Sequence, residues 1–266
     1  MKKNILLVAI MGSIILIGLS ACTRDLSLKS EVSTTDGSSF LRVINVAPNF
    51  RAIYNQQDTF SILLNGNKIS GYTPGAVASM TYGSSFPAIN TLNGYFSVTP
   101  GTQEIKLSVS GVVTPDSIPI TTFLKKFVAN QSYTFFITDS IKSNNDSVQM
   151  FVADTYTKPE LGFYNIRFVH TVLNDTLGKT IDIYSTRNAK NIFTSVKPSS
   201  VTSYSKYPFN SLLSDTLYVR RAGTLINLAT LNGQIFADQR TYTLYYRGNG
   251  SLTSGTKARS LATYIH

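Results

Sequence analysis

Short runs of alternating apolar and polar residues make up most of the chain beyond residue 39. Phe60, Ile62 and Leu64 alternate with Ser61 and Leu63; Ile105, Leu107 and Val109 with Glu104, Lys106 and Ser108; Leu217 and Val219 with Thr216, Tyr218 and Arg220. A period of two puts one set of side chains on a core face, so these runs predict half-buried strands. Turn residues separate them at Asn65-Gly66-Asn67, Pro100-Gly101, Ser143-Asn144-Asn145-Asp146 and Gly248-Asn249-Gly250. Past residue 21 no stretch sustains a helical period, and the abundance of Thr, Val, Ile, Tyr and Phe suits sheets.

The first segment has a different pattern. Met1-Lys2-Lys3-Asn4 is short and cationic, and residues 5–21 carry no charge at all. That combination predicts a secretory signal over residues 1–21, oriented by its lysines and removed after export. Leu19-Ser20-Ala21-Cys22 resembles the lipobox of bacterial lipoproteins, in which small residues let the peptidase approach a cysteine whose thiol already carries diacylglycerol. The alternative is an uncleaved anchor, because an apolar run of about 17 residues lies at the lower limit for spanning a bilayer. Cys22 is the single cysteine of the sequence and closes that run, which favours lipidation.

Acylated Cys22 makes membrane lipid the expected partner, since each buried methylene contributes about 0.8 kcal/mol and two or three chains hold almost permanently. It also leaves no thiol for a disulfide or a nucleophile, so packed cores must supply the stability. Residues 22–39 are polar and rich in Ser and Thr, and read as a flexible tether. Thr23 follows the cysteine where an aspartate would resemble an inner-membrane retention signal, so the expected address is the outer membrane, on either its periplasmic or its surface face.

The second half of the chain repeats the first. Leu41-Arg42-Val43-Ile44-Asn45-Val46 matches Ile166-Arg167-Phe168-Val169-His170-Thr171. Phe60-Ser61-Ile62 then matches Ile181-Asp182-Ile183, and Ala129-Asn130-Gln131-Ser132-Tyr133-Thr134 matches Ala237-Asp238-Gln239 followed, after one inserted residue, by Thr241-Tyr242-Thr243. Three matches in one order imply a duplicated unit, placed at residues 40–159 and 160–266. Each copy is large enough for its own core. About seven short strands per copy fit a sandwich, so the predicted fold is all-β, with two tandem immunoglobulin-like β-sandwich domains after the signal and tether.

At these residues the chain resembles the domain of unknown function 4397 family. The resemblance lies in the opening Arg-Val/Phe-Ile/Val-Asn/His strand, in Asp182-Ile183-Tyr184 and in the late Tyr-Thr strand. It implies an envelope lipoprotein carrying one or two such units. Members often have histidine where this chain has His170, against Asn45 in the first repeat. The family has no agreed active site, so the resemblance transfers no catalytic residue.

Charge narrows the partners. Without Lys2 and Lys3 the formal charge falls from +10 to +8, and residues 160–266 hold twelve bases against five acids. A cationic module suggests anionic envelope polysaccharide, but Arg167, Lys179, Lys197, Arg220, Arg221 and Arg240 are scattered and also suit a dispersed solvated surface. Nucleic acid is not an expected partner in this compartment.

Chemistry-bearing residues are sparse. His170 and His266 lie far apart, so a histidine metal site or relay is not expected; His170, opposite Asn45 in the repeat, reads as a structural hydrogen-bonding group shared by both copies. Glu104 beside Lys106 reads as a solvated strand face. The pattern of a serine nucleophile elbow, a zinc-binding helix or a phosphate loop is missing, and separated acids neither show nor exclude a glycosidase pair. The Asn144-Asn145-Asp146 loop suits an ordinary turn better than calcium. Neither catalytic residues, metal nor cofactor is expected.

Two surface features remain. Tyr242 and Tyr246 share one face of a strand and Tyr245 the other, so core and sheet-surface packing is the default reading and an exposed tyrosine row the candidate ligand face; the absence of tryptophan disfavours a specialised carbohydrate module. Asp-Ser/Thr-aliphatic triplets at Ser117, Ser140, Ser147, Thr176 and Thr216 resemble the O-glycosylation sequon of some Gram-negative envelope proteins. The function expected from all this is a non-catalytic binding or adhesion module. The alternatives are a structural or accessory subunit docking on an envelope protein through an exposed edge or face, and a glycan hydrolase with unrecognised carboxylates.

Overall fold

The computed structural model describes residues 37–54, 59–70, 79–88, 94–109, 119–139, 150–211 and 213–266. Cys22, the signal, most of the tether, the Asn144-Asn145-Asp146 loop and Ser117, Ser140 and Ser147 lie outside the described residues. Residues 37–266 form one compact unit.

Within it the chain is two β-sandwiches. The first uses β1 (Ser39–Asn45), a five-residue helix α1 (Phe50–Tyr54), β2 (Phe60–Leu64), β3 (Asn67–Lys68), β4 (Ser85–Phe86), β5 (Phe96–Val98), β6 (Gly101–Val109), β7 (Pro119–Phe127), β8 (Ser132–Ile137) and β9 (Met150–Ala153). The second uses β10 (Phe163–His170), β11 (Ile181–Ser185), β12 (Lys190–Val196), β13 (Ser200–Val201), β14 (Ser205–Pro208), β15 (Asp215–Arg221), β16 (Asn227–Gln234), β17 (Thr241–Arg247) and β18 (Ser260–Ile265).

The duplication read from three sequence matches extends to every described strand. One sheet of the first sandwich runs β4-β1-β8-β9 with β5 also on β1, and its counterpart runs β13-β10-β17-β18 with β14 also on β10. The facing sheets run β3-β2-β6-β7 and β12-β11-β15-β16. Register agrees as well: β1 runs parallel to β8 with Arg42 opposite Thr134, and β10 runs parallel to β17 with Arg167 opposite Thr243. Each copy has nine described strands where about seven were expected. The extra ones are pieces such as β3, β4 and β13, two residues long, which is too short for an alternating pattern to mark them.

Each sandwich has its own core. Leu41, Val43, Phe60, Ile62, Ile105, Leu107 and Phe135 fill the first, and Ile166, Phe168, Ile181, Ile183, Leu217, Val219 and Leu244 the second. Glu104 and Lys106 pair at 3.2 Å on the outer side of β6, as the alternation predicts.

A third apolar cluster joins the two sandwiches. Ile44, Val46, Phe136 and Met150 from the first pack with Val169, Tyr245 and Tyr264 from the second. Ile44, Phe136, Val169 and Tyr245 lie on the faces of β1, β8, β10 and β17 that point away from the two cores, so both faces of these strands are covered, while Met150 and Tyr264 come from β9 and β18 and Val46 from just past β1. Burying each large apolar side chain contributes about 2 kcal/mol, enough to bind the repeats together along a seam. Phe136 meets Tyr245 with ring centroids 5.7 Å apart, and the pairing registers make these two residues equivalents in the repeat. The seam therefore has approximate twofold symmetry.

The seam corrects one sequence expectation. Tyr242, Tyr245 and Tyr246 are 6%, 2% and 0% exposed, so they form no ligand face. Tyr242 and Tyr246 belong to the second core and Tyr245 to the seam.

Candidate functional site

At one end the seam turns polar. Arg42 on β1, Thr134 on β8, Arg167 on β10, Thr243 on β17 and Tyr264 on β18 follow the apolar residues along the same strand faces, and Asp154 and His266 stand just past the ends of β9 and β18. The last two are also equivalents, since the Asp154 amide donates to Ser132 O at 2.8 Å and the His266 amide to Thr241 O at 2.9 Å. Tyr95 and Tyr204, each one residue before β5 and β14, are a further matched pair. The cluster is thus built from corresponding positions of the two repeats.

The partners fix the direction of its hydrogen bonds. Asp154 pairs with Arg167, and its Oδ2 accepts from Thr134 at 2.6 Å and from the Tyr95 hydroxyl at 2.8 Å. With its proton committed there, the Tyr95 oxygen must accept from His266 Nδ1, 2.9 Å away. The single His266 Nε2 lone pair then faces two hydroxyls, Thr243 at 2.8 Å and Tyr204 at 3.0 Å, and accepts from one of them, while Arg167 Nε donates to Thr243 at 2.9 Å. His266 is a neutral imidazole in this arrangement. Burial, together with the nearby Arg167 and Arg42 charges, pushes its pKa down to about 2. Burial likewise raises the tyrosines, with Asp154 reinforcing the effect at Tyr95.

Symmetry breaks at the charges. Arg167 has Asp154 across the seam, but the position equivalent to Asp154 is His266, so Arg42 has no carboxylate in salt-bridge range among the described residues. Arg42 is 2% exposed and lies between the rings of Tyr95 at 4.2 Å and Tyr264 at 4.5 Å. These cation-π contacts, and a 2.7 Å bond from Nε to Gly94 O, stand in for an anion. Gly94 has φ +54° and a side chain there would collide with the guanidinium, so glycine is required.

A cavity of about 710 Å³ opens beside this cluster. Asn130, Gln131 and Ser132 line it from the first sandwich, Asp154, Thr155, Tyr156 and Thr157 from the connection between sandwiches, and Asn165 and Tyr204 from the second. Tyr156 is 41% exposed. Its ring is braced by His266, 4.7 Å away, and by Tyr204 at 6.1 Å. The sequence did not single out this set, because its members are ordinary polar and aromatic residues brought together only by the seam. Asn130-Gln131 did mark a repeat, but at a turn.

The remaining sequence candidates fall elsewhere. His170 is buried, its Nε2 is 2.9 Å from Gly178 O, and burial lowers its pKa to about 4. The Asn45 side chain instead accepts from Ala47 N at 3.1 Å, so the two repeats do not make one common bond as expected; the loop that reaches His170 is built around Asp175. Thr176 is exposed and Thr216 is half-buried. The aspartates before them are buried and bonded: Asp175 to Arg259, Tyr246 and Leu177 N, and Asp215 to Ser185, Thr186 and Arg187 N. Among the described residues no group of three or more His, Cys, Asp or Glu could hold a metal.

No family model and no curated protein matches this chain. Among solved structures it is similar to the Bacillus anthracis TIE protein, at 10% identity over 86% of this chain and 44% of that one, with a TM-score of 0.19. The chain spans less than half of that protein's length, and a likeness this slight specifies neither fold nor role.

Proposed function

We propose that this chain is a non-catalytic binding module of the cell envelope, lipid-anchored through Cys22 at the outer membrane. The signal pattern and the lipobox-like Leu19-Ser20-Ala21-Cys22 support the address, as does the strand resemblance to the domain of unknown function 4397 family. One observation carries the binding role. Of the described residues lining the seam cavity, Asp154 alone has a charged side chain, and both of its oxygens are occupied by Arg167, Thr134 and Tyr95. What faces a ligand is amides, hydroxyls and tyrosine rings, groups that hold a molecule without breaking its bonds. The partner is an envelope polymer or protein.

A second reading, an accessory subunit that docks on an envelope complex, has its own support. Leu225 and Ile226 are 83% and 54% exposed at the turn between β15 and β16, with Arg220 and Arg221 beside them. Exposed apolar residues at a tip suit a protein interface.

Fractionation of cells making the full chain tests the address. Wild type is expected in the membrane fraction with an intact mass of polypeptide from Cys22 plus lipid, and Cys22→Ser in the soluble envelope fraction. A wild-type protein without acyl mass contradicts the anchor. The same mass tests glycosylation at Ser117, Ser140, Ser147, Thr176 and Thr216 together, since a mass equal to polypeptide plus lipid rules it out. Retention on isolated envelope polysaccharide supports the binding module, whereas one stoichiometric protein crosslink supports the docking subunit.

A further inference from the structure

We infer that the seam cavity binds an uncharged oligosaccharide segment, stacked on Tyr156 and hydrogen-bonded by the amides and hydroxyls around it. The inference rests on the binding-module reading and names its ligand class.

Ligand chemistry is constrained by what the lining offers and what it withholds. Asn130, Gln131 and Asn165 each present a donor and an acceptor in one amide, and Ser132, Thr155 and Thr157 do the same with hydroxyls. A sugar hydroxyl is likewise donor and acceptor together, so such a rim matches a ring carrying several of them. An apolar ligand finds no Ala, Val, Leu, Ile or Met side chain among the described lining residues. An anion or cation finds no free counter-charge, because Asp154 is consumed by Arg167 and by two hydroxyl donors.

Tyr156 supplies the remaining requirement. The C–H face of a pyranose packs on a flat aromatic ring, and a held ring loses little entropy on binding. His266 and Tyr204 hold this one from behind while leaving much of it exposed. The sequence has no tryptophan, so tyrosine provides the plane. The cavity, at about 710 Å³, falls within the size range of small-molecule sites.

Calorimetric titration of the full chain, solubilised in detergent, with neutral glucose, mannose and N-acetylglucosamine oligomers and with a polyuronate tests this directly. A neutral oligomer is expected to bind with an affinity that changes less than about twofold between roughly 50 and 500 mM salt. Tyr156→Ala is expected to weaken it at least about tenfold. Asn165→Ala should weaken it severalfold, and both variants should still unfold in one cooperative transition like wild type, because neither side chain is fully buried. Failure of every neutral oligomer to bind overturns the inference, as does neutral binding indifferent to Tyr156→Ala. Salt-sensitive polyuronate binding unaffected by Tyr156→Ala overturns the inference but keeps the binding module. One stoichiometric protein partner with no glycan binding overturns the inference and supports the docking subunit instead.

Discussion

Asp154→Ala will destabilise the folded chain by about 3–5 kcal/mol, the cost of leaving a buried charge without its partner. Asp154 and Arg167 are 4% and 2% exposed, so little water surrounds the guanidinium to take the place of the lost carboxylate. Two further donors, the hydroxyls of Tyr95 and Thr134, lose their acceptor in the same step. Arg42 already has no carboxylate partner among the described residues, so in the variant neither guanidinium of the cluster would have one. Asp154→Asn keeps the shape and one acceptor and should fall between alanine and wild type. Urea unfolding at pH 7 measures the loss as a shift of midpoint at unchanged slope. A change below about 1 kcal/mol would mean that the pair is solvated, as surface pairs are.

Acid will weaken the fold across a window set by its histidines. His170 and His266 have folded pKa values near 4 and 2, below the usual 6.5 of an unfolded histidine. Between these limits the unfolded chain binds more protons than the folded one, so stability is full above about pH 6.5 and declines as pH falls. His170, fully buried, contributes a loss of roughly 3 kcal/mol by pH 4, and His266 adds to it. Asp175, held below the usual carboxylate range by bonds from Arg259 and Tyr246 that outweigh its burial, loses its contribution only below that window. Asp139, raised by burial, works in the opposite direction. Unfolding midpoints from pH 7.5 to 4 should therefore fall for wild type and flatten for His170→Asn with His266→Asn. Asparagine is the first repeat's own residue at the His170 position and has no proton to gain. An unchanged slope in the double variant would show that other groups cause the decline.

Much of the fold was legible because its signals are local. Alternation marked β2, β6 and β15, and the repeat of Leu41–Val46 at Ile166–Thr171 gave the duplication in correct register. The seam also left a signal, in the strands that fail to alternate. Tyr133 to Ile137 and Ile166 to His170 are buried without interruption, the pattern of strands covered on both faces. Alternation along residues 242–246 suggested an open tyrosine row on β17, which the second core and the seam cover between them. The site could not be read in the same way. Tyr95, Asp154, Tyr204 and His266 sit at strand ends, and their meeting depends on how one sandwich lies on the other. Their correspondence by repeat position emerges only once the registers of β5, β9, β14 and β18 are known.

Everything proposed for the cavity requires the two sandwiches to be one solid body. Calorimetric unfolding of the full chain at pH 7 tests this, compared with Phe136→Ala, which removes a buried ring from the middle of the seam. A fused pair gives wild type a single transition with calorimetric and van't Hoff enthalpies equal, and costs the variant about 3–5 kcal/mol or splits its transition in two. Two separate transitions in wild type, with Phe136→Ala moving neither, would contradict a built seam and the cavity that depends on it.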